Sequence, residues 1–229
     1  MNRPLTGLSS MATRHILAEL ARDYEAQTGS KVDIRSMGGV EAAKLARAGE
    51  RVDLIALASK VTRELEAEGH IISGSIMEFA RSEVGLAVPA EARRPSLADG
   101  NAVRQAMIEA KRVGYSTGPS GDHFLALCDK WGLSNTVAAR ALKAPPGVPV
   151  TTLVASGEAD LGVQQLSELI GQPGIEVVGP LPPDIQAVTV FSAGVSTTSA
   201  DPEAARALVA YLASAVTAET KRRHGMEPA

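Results

Sequence analysis

The sequence predicts an α/β fold in which short strands alternate with helices, and three observations predict it. Apolar runs of strand length recur at 4–9, 31–36 and 53–57. Stretches at 12–28, 40–48 and 60–68 carry apolar residues at helical spacing. Small or turn-forming residues punctuate the joints. A β-α-β-α-β-α order of this kind is the signature of a parallel sheet covered on both faces.

Each element has its own signal. The first helix puts Ile16, Leu17, Leu20 and Tyr24 on one face, and Gly29 ends it. Residues 78–90 read as a longer strand, followed by a loop marked by Pro95 and Gly100. A second set of units follows: a helix at 101–111, a strand at 112–116, and a helix from near Ser120 to Gly132. After a break at 145–149 come a helix to about Ser156, a short strand and helix, and a strand at 175–180. The segment PLPPD at 180–184 is a stiff crossing. A long alternating strand is expected at 185–197. Asp201-Pro202 starts the last helix, with Ala205, Leu208, Val209 and Leu212 on its buried face. Two such sets predict two lobes: residues 1–80 and 190–229 in lobe one, 81–189 in lobe two, with crossings near Arg81-Ser82 and 186–189. A ligand cleft between the lobes is the natural expectation, because strand ends and helix starts bind ligands in α/β folds.

Composition excludes several classes. The 229 residues include 23 Lys and Arg against 26 Asp and Glu, a net charge of −3, and aromatics are only 3%. Neither a nucleic-acid partner, which needs basic or stacking surfaces, nor membrane insertion, which needs about 18 consecutive apolar residues, is expected. The lone Cys128 excludes an internal disulfide and a multi-cysteine metal site. His15, His70, His123 and His224 lack metal-ligand spacing, and no P-loop, GxGxxG or HExxH is present, so neither metal nor cofactor is expected. Gly118-Pro119-Ser120-Gly121 misses the acyl-transfer elbow by one place. The N-terminus has no apolar run of signal-peptide type, which reads as cytoplasmic, or as periplasmic if a leader has been removed. Nothing in the sequence sets an oligomeric state.

The richest joint is Tyr115-Ser116-Thr117-Gly118-Pro119-Ser120-Gly121-Asp122-His123, between a strand and a helix. Ser116, Thr117 and Ser120 offer hydroxyl donors there, beside a helix N-terminus that favours anions. A second joint, Leu8-Ser9-Ser10-Met11-Ala12-Thr13-Arg14, places Ser9, Ser10 and Arg14 at the start of the first helix. The helix dipole opposes a cation there unless Arg14 reaches a bound carboxylate. Gly38 and Gly39 permit close backbone approach at a third joint. Arg81-Ser82 lies inside an apolar strand, where an arginine needs a partner: Glu78, Glu83 or a ligand carboxylate. Gln164 and Gln165 close a short strand and could donate amides.

The segments LTGLSSMATRHILAELARDYEAQTG, GGVEAAKLARAGERVDLIALAS and TLVASGEADLGVQQLSEL resemble the molybdate-binding-protein family of periplasmic solute-binding proteins. YSTGPSGDHF and GQPGIEVVGPLPPDIQAVTVFSAGV look like a divergent branch of that family, one that includes aconitate isomerase. The resemblance spans nearly the whole chain. It implies a type II periplasmic-binding-protein fold, with two α/β lobes, two crossover strands and a clamped ligand. Molybdate binders hold their oxyanion with hydroxyls whose places fall here on Ala12, on Gly39-Val40 and on Gln165, so molybdate and tungstate are not expected to bind. Arg14, Arg81 and the 116–120 loop suit carboxylates instead. The branch implies an isomerase of an unsaturated di- or tricarboxylate acting by proton shift. His123 or Asp122 would then carry the proton, with His15 in reserve. A non-catalytic solute-binding protein for an organic or inorganic anion, serving a transporter, is the alternative.

Overall fold

A computed structural model describes residues 3–145 and 147–229. The chain divides into two compact units: residues up to Ser82 together with Thr189–Ala229, and Glu83–Val188. Pro146, within the break expected at 145–149, lies outside the described residues.

In the first unit, β1 (Leu5–Ser10), α1 (Arg14–Thr28), β2 (Val32–Met37), α2 (Gly39–Arg47), β3 (Leu54–Ala58) and α3 (Ser59–Ala67) alternate as the sequence predicts. β1 is parallel to β2, with Leu5 opposite Val32 and Ser9 opposite Ser36. On its other side β1 runs parallel to β3, with Gly7 opposite Leu54. Successive side chains of a strand face opposite sides, and β3 follows that rule. Leu54 and Ala56 join Ile16, Leu17, Leu20, Leu208 and Leu212 in one core. Ile55 and Leu57 join Leu8, Ala42, Ala46 and Leu65 in the other. The first helix begins later than expected, because Met11–Thr13 form a tight 3-10 turn before α1.

The long strand β4 (Met77–Pro89) leaves this unit and enters the second. There α4 (Gly100–Glu109), β5 (Val113–Tyr115), α5 (Pro119–Lys130), β6 (Leu142–Lys143), α6 (Val150–Ala155), β7 (Leu161–Gln165), α7 (Leu166–Leu169) and β8 (Ile175–Pro180) follow. β5 lies parallel to β7 and to β6. The second half of β4 pairs antiparallel with β7 and β8. The core gathers Leu86, Val103, Met107, Phe124, Cys128 and Val163. Cys128 is fully buried, and burial pushes its thiol up to about 11, so it stays protonated and inert.

The chain returns through β9 (Val188–Val195), antiparallel to β3. The strand expected from 185 starts three residues late. A turn at 183–185 is followed by Gln186, which accepts from the Val84 amide at 3.0 Å and donates to the Val84 carbonyl at 3.1 Å. α8 (Pro202–Ala213) is capped as expected, with Asp201 accepting from the Ala204 amide at 3.0 Å. It is not the last helix. α9 (Ala218–Arg223) and the short β10 (Glu227–Pro228) follow, and β10 pairs with β4 at Ala80 and Arg81.

Two buried charges stand out. Asp53, fully buried just before β3, accepts from Arg3 at 2.7 Å, the Thr6 amide at 2.8 Å, Ser199 Oγ at 2.8 Å and Thr6 Oγ1 at 3.1 Å. Lys221 on α9 is 1% exposed and has neither ion pair nor side-chain hydrogen bond among the described residues; burial lowers its amine to about 8. Below pH 8 folding must hold this ammonium in an apolar place, and the penalty fades as pH rises from about 8 to the unfolded value of 10.5. Lys221→Met is therefore expected to stabilise the protein by about 2–3 kcal/mol at pH 7. The gain should vanish near pH 11, as urea denaturation at both pH values would measure.

Candidate functional site

Parallel β1, β2 and β3 end on one edge of the first unit, and a helical segment springs from each end. Ser9 and Ser36 sit in register there with their hydroxyls 2.7 Å apart. The Ser10 hydroxyl meets Thr13 Oγ1 at 3.3 Å. The start of α2 closes on them: a Cβ on Gly39 would lie 3.9 Å from the Ser10 Cβ. No side chain caps the 3-10 turn before α1, nor α2 or α3, whose N-cap residues are Ser10, Gly38 and Ala58. Helices α4 and α8, by contrast, are capped by Asp99 and Asp201. Each helix start exposes amides with no intrahelical partner, together with the positive end of the dipole, so this edge suits an anion. Ser59 Oγ, at the start of α3, is buried without a hydrogen-bond partner.

Arg14 and His15 open α1 on this edge, both half-buried. An Arg14 terminal nitrogen lies 3.0 Å from His15 Nε2. A guanidinium can only donate, so Nε2 is the acceptor and the ring is neutral with its proton on Nδ1. Burial, then Arg14, then His224 hold His15 below the usual histidine range. The neutral imidazole is the form a general base needs.

The second unit has its own edge at the ends of parallel β5 and β7. Ser116 and Ser120 share a hydrogen bond at 2.9 Å, and the Gly118 amide donates to Ser116 Oγ at 3.3 Å. Gly118 is the N-cap residue of α5, and no side chain caps this helix either. The half-buried Thr117 makes no hydrogen bond among the described residues. Gly121 is required here, because a Cβ would stand 1.9 Å from the Ser116 carbonyl oxygen. Gly121→Ala is expected to displace this loop and cost about 1–3 kcal/mol or more, read as a lower thermal midpoint.

Other expected residues stand in different surroundings. His123 Nε2 donates to the Ile185 carbonyl at 2.7 Å, which ties α5 to the 183–185 turn. Asp122 is exposed in the first turn of α5. Arg81 is exposed rather than buried in an apolar environment, and Glu78, an expected partner, pairs with Arg63 instead. Ser82 is buried. Gln164 uses its amide locally, accepting from the Val150 amide at 3.1 Å and donating to Glu168 at 2.8 Å, so it caps α6. Gln165 is buried at the end of β7. The sequence reading missed Ser36, Glu19 and His224. The period-two pattern of β2 marks the position of Ser36, whereas the contact between Glu19 and His224 joins residues 205 apart and leaves no local signal.

No helix among the described residues is long and apolar enough to cross a membrane, and no group of three or more His, Cys, Asp or Glu there could hold a metal ion. The chain is 36% identical to an aconitate isomerase from Pseudomonas sp, across 98% of its own length and 87% of that protein's. Its fold matches the periplasmic molybdate-binding protein of Azotobacter vinelandii with a TM-score of 0.81, at 20% identity and covering 97% and 98% of the two chains. The substrate-binding domain of a putative molybdenum ABC transporter from Clostridium difficile matches with a TM-score of 0.75, at 16% identity and 99% of both chains. These likenesses give the two-lobed α/β fold of periplasmic solute-binding proteins. With residues 5–227 matching the family described as bacterial extracellular solute-binding protein, the chain belongs to that family.

Proposed function

We propose that the protein binds a small di- or tricarboxylate and isomerises it by a 1,3-proton shift, as an aconitate isomerase does. The observation that carries this reading is the 36% identity with aconitate isomerase over nearly the whole chain. The geometry supplies the parts. In aconitate a methylene lies between a carboxylate and a carbon–carbon double bond. Once a substrate carboxylate draws Arg14 away from His15 Nε2, that nitrogen takes one methylene proton and gives a proton back to the far alkene carbon. One C–H bond breaks, one forms, and the double bond migrates by one position. The charge that spreads over the substrate carboxylates in between is met by Arg14 and by the open helix starts at Ser10, Gly38 and Ala58. Asp122 and His123 on α5 are the alternative proton carriers: His123 Nε2 donates to Ile185, which leaves its Nδ1 as the acceptor.

Family membership favours a second reading, a binding protein that delivers an organic anion to a transporter. It needs the same anion contacts and no base. It also favours the periplasm over the cytoplasm expected from the N-terminus, which osmotic-shock fractionation would decide. Purified protein is expected to interconvert cis- and trans-aconitate, followed by ultraviolet absorbance. Calorimetric binding of either isomer without conversion would establish the second reading. Micromolar affinity for molybdate with none for aconitate would remove both carboxylate readings.

A further inference from the structure

Hydroxyls at the strand ends pair with one another: Ser9 with Ser36, Ser10 with Thr13, and Ser116 with Ser120. Ser59 differs. It is the first residue of α3 and is 6% exposed, and its Oγ is buried with no hydrogen-bond partner among the described residues. A hydroxyl held in this way weakens the fold, because it has left water without gaining a partner.

The direction of this side chain follows from the helix. Ser59, Thr62 and Leu65 make up the buried face of α3. The Thr62 hydroxyl donates to the Ser59 carbonyl at 3.0 Å and lies 2.5 Å from Ser192 Oγ on β9. Thr62 has one proton to give, so Ser192 donates to it, and the two hydroxyls fasten the first turn of α3 to the sheet. In a helix each Cα–Cβ bond tilts toward the N-terminus. The Ser59 side chain therefore leans away from Thr62 and toward the edge where β3 ends at Ala58. No side chain caps α3 at that end.

We propose that Ser59 is a ligand-binding residue whose hydroxyl donates to a carboxylate of the anion bound at the start of α3, a contact that rests on the reading of this edge as a site for a small di- or tricarboxylate. It adds a side-chain donor to the helix starts and Arg14. A neutral hydroxyl is far less costly to bury in the ligand-free protein than a second cation. Its hydrogen bond to an ionised acceptor is of the strong, charge-assisted kind.

Two measurements on Ser59→Ala separate this role from a structural one. The ligand-free variant discards a buried hydroxyl that holds no protein group, so its thermal midpoint should stay level or rise by up to about 3 °C. Its affinity for a tricarboxylate should fall by about 10–100-fold, the effect of losing one hydrogen bond to a charged group. The probe is tricarballylate, followed by calorimetry, because it carries the three carboxylates of aconitate and has no double bond to move. Ser59→Cys keeps the volume with a much weaker donor. It should lose affinity as alanine does, and it decides the matter if Ser59→Ala fails to fold. Wild-type affinity in Ser59→Ala overturns the proposal. A clearly lowered midpoint in the ligand-free variant also overturns it, since the hydroxyl would then be holding the fold. Wild type that isomerises aconitate while Ser59→Ala binds tricarballylate unchanged removes this contact alone. Wild type that binds tricarballylate, with the affinity lost in Ser59→Ala, but isomerises no aconitate supports the contact and removes the isomerisation. Wild type that binds no carboxylate overturns both.

Discussion

Asp53→Ala is expected to lower stability by about 3–5 kcal/mol, the range for removing one partner of a buried charged network. The carboxylate gathers Arg3, both donors of Thr6, and Ser199 at the point where β1, β3 and the segment after β9 meet. Arg3 is half exposed and would recover water, but the Thr6 amide and the Ser199 hydroxyl would lose their acceptor. Burial alone would raise the Asp53 carboxyl; hydrogen bonds from Thr6, Arg3 and Ser199 outweigh it and hold the group below the usual carboxylate range. The sign follows from linkage. A lowered folded value contributes stability that is complete above the ordinary carboxylate range and is lost as pH falls through the folded midpoint. Urea denaturation should give the full difference between wild type and variant at pH 7 and a shrinking one below about pH 4. A difference that is constant with pH would count against this origin.

His15→Gln is expected to reduce aconitate turnover by about 10²–10⁴-fold, the usual contribution of a positioned acid or base. Glutamine keeps an acceptor for Arg14 but cannot take a proton, so KM should change little. The wild-type kcat/KM should rise with pH through a midpoint below that of an ordinary histidine, because burial and Arg14 disfavour the imidazolium. His123→Gln is the internal comparison. It removes a hydrogen bond to Ile185 and should cost about 1 kcal/mol of stability with turnover within a few-fold of wild type. Reversal of the two kinetic effects would move the proton carrier to α5.

Residues 5–67 of the first unit were largely legible because apolar runs of strand length alternate with helices whose buried residues recur at helical spacing. The Asp201-Pro202 helix start was legible for the same local reason. Arg81 was misjudged although the signal was present: Arg81 and Glu83 are exposed while Ser82 and Val84 are buried, a plain period of two. The C-terminal α9 and β10 were missed, the sequence reading ending its elements with the Asp201-Pro202 helix. Their structure depends on Glu19 and on the pairing with β4, both distant in sequence. The placement of Ser9, Ser10, Arg14 and Gly39 at the ends of β1 and β2 was legible from the joints. The partners of the two rings, Arg14 for His15 and Ile185 for His123, were not legible, since the sequence does not say which atom each ring nitrogen meets.

The open helix starts at Gly38, Ala58 and Gly118 carry a cost for anyone who selects this protein for heat resistance. A capping side chain typically adds about 1 kcal/mol, so Asp or Ser at these three positions is among the simplest gains available to a random library. If these starts receive the ligand as proposed, each such gain would place a resident oxygen, often a charged one, where its carboxylate has to bind. Survivors of a thermal screen should therefore drift toward sturdy proteins with poor anion affinity, whereas a screen that includes ligand should leave these three positions untouched and collect its gains elsewhere.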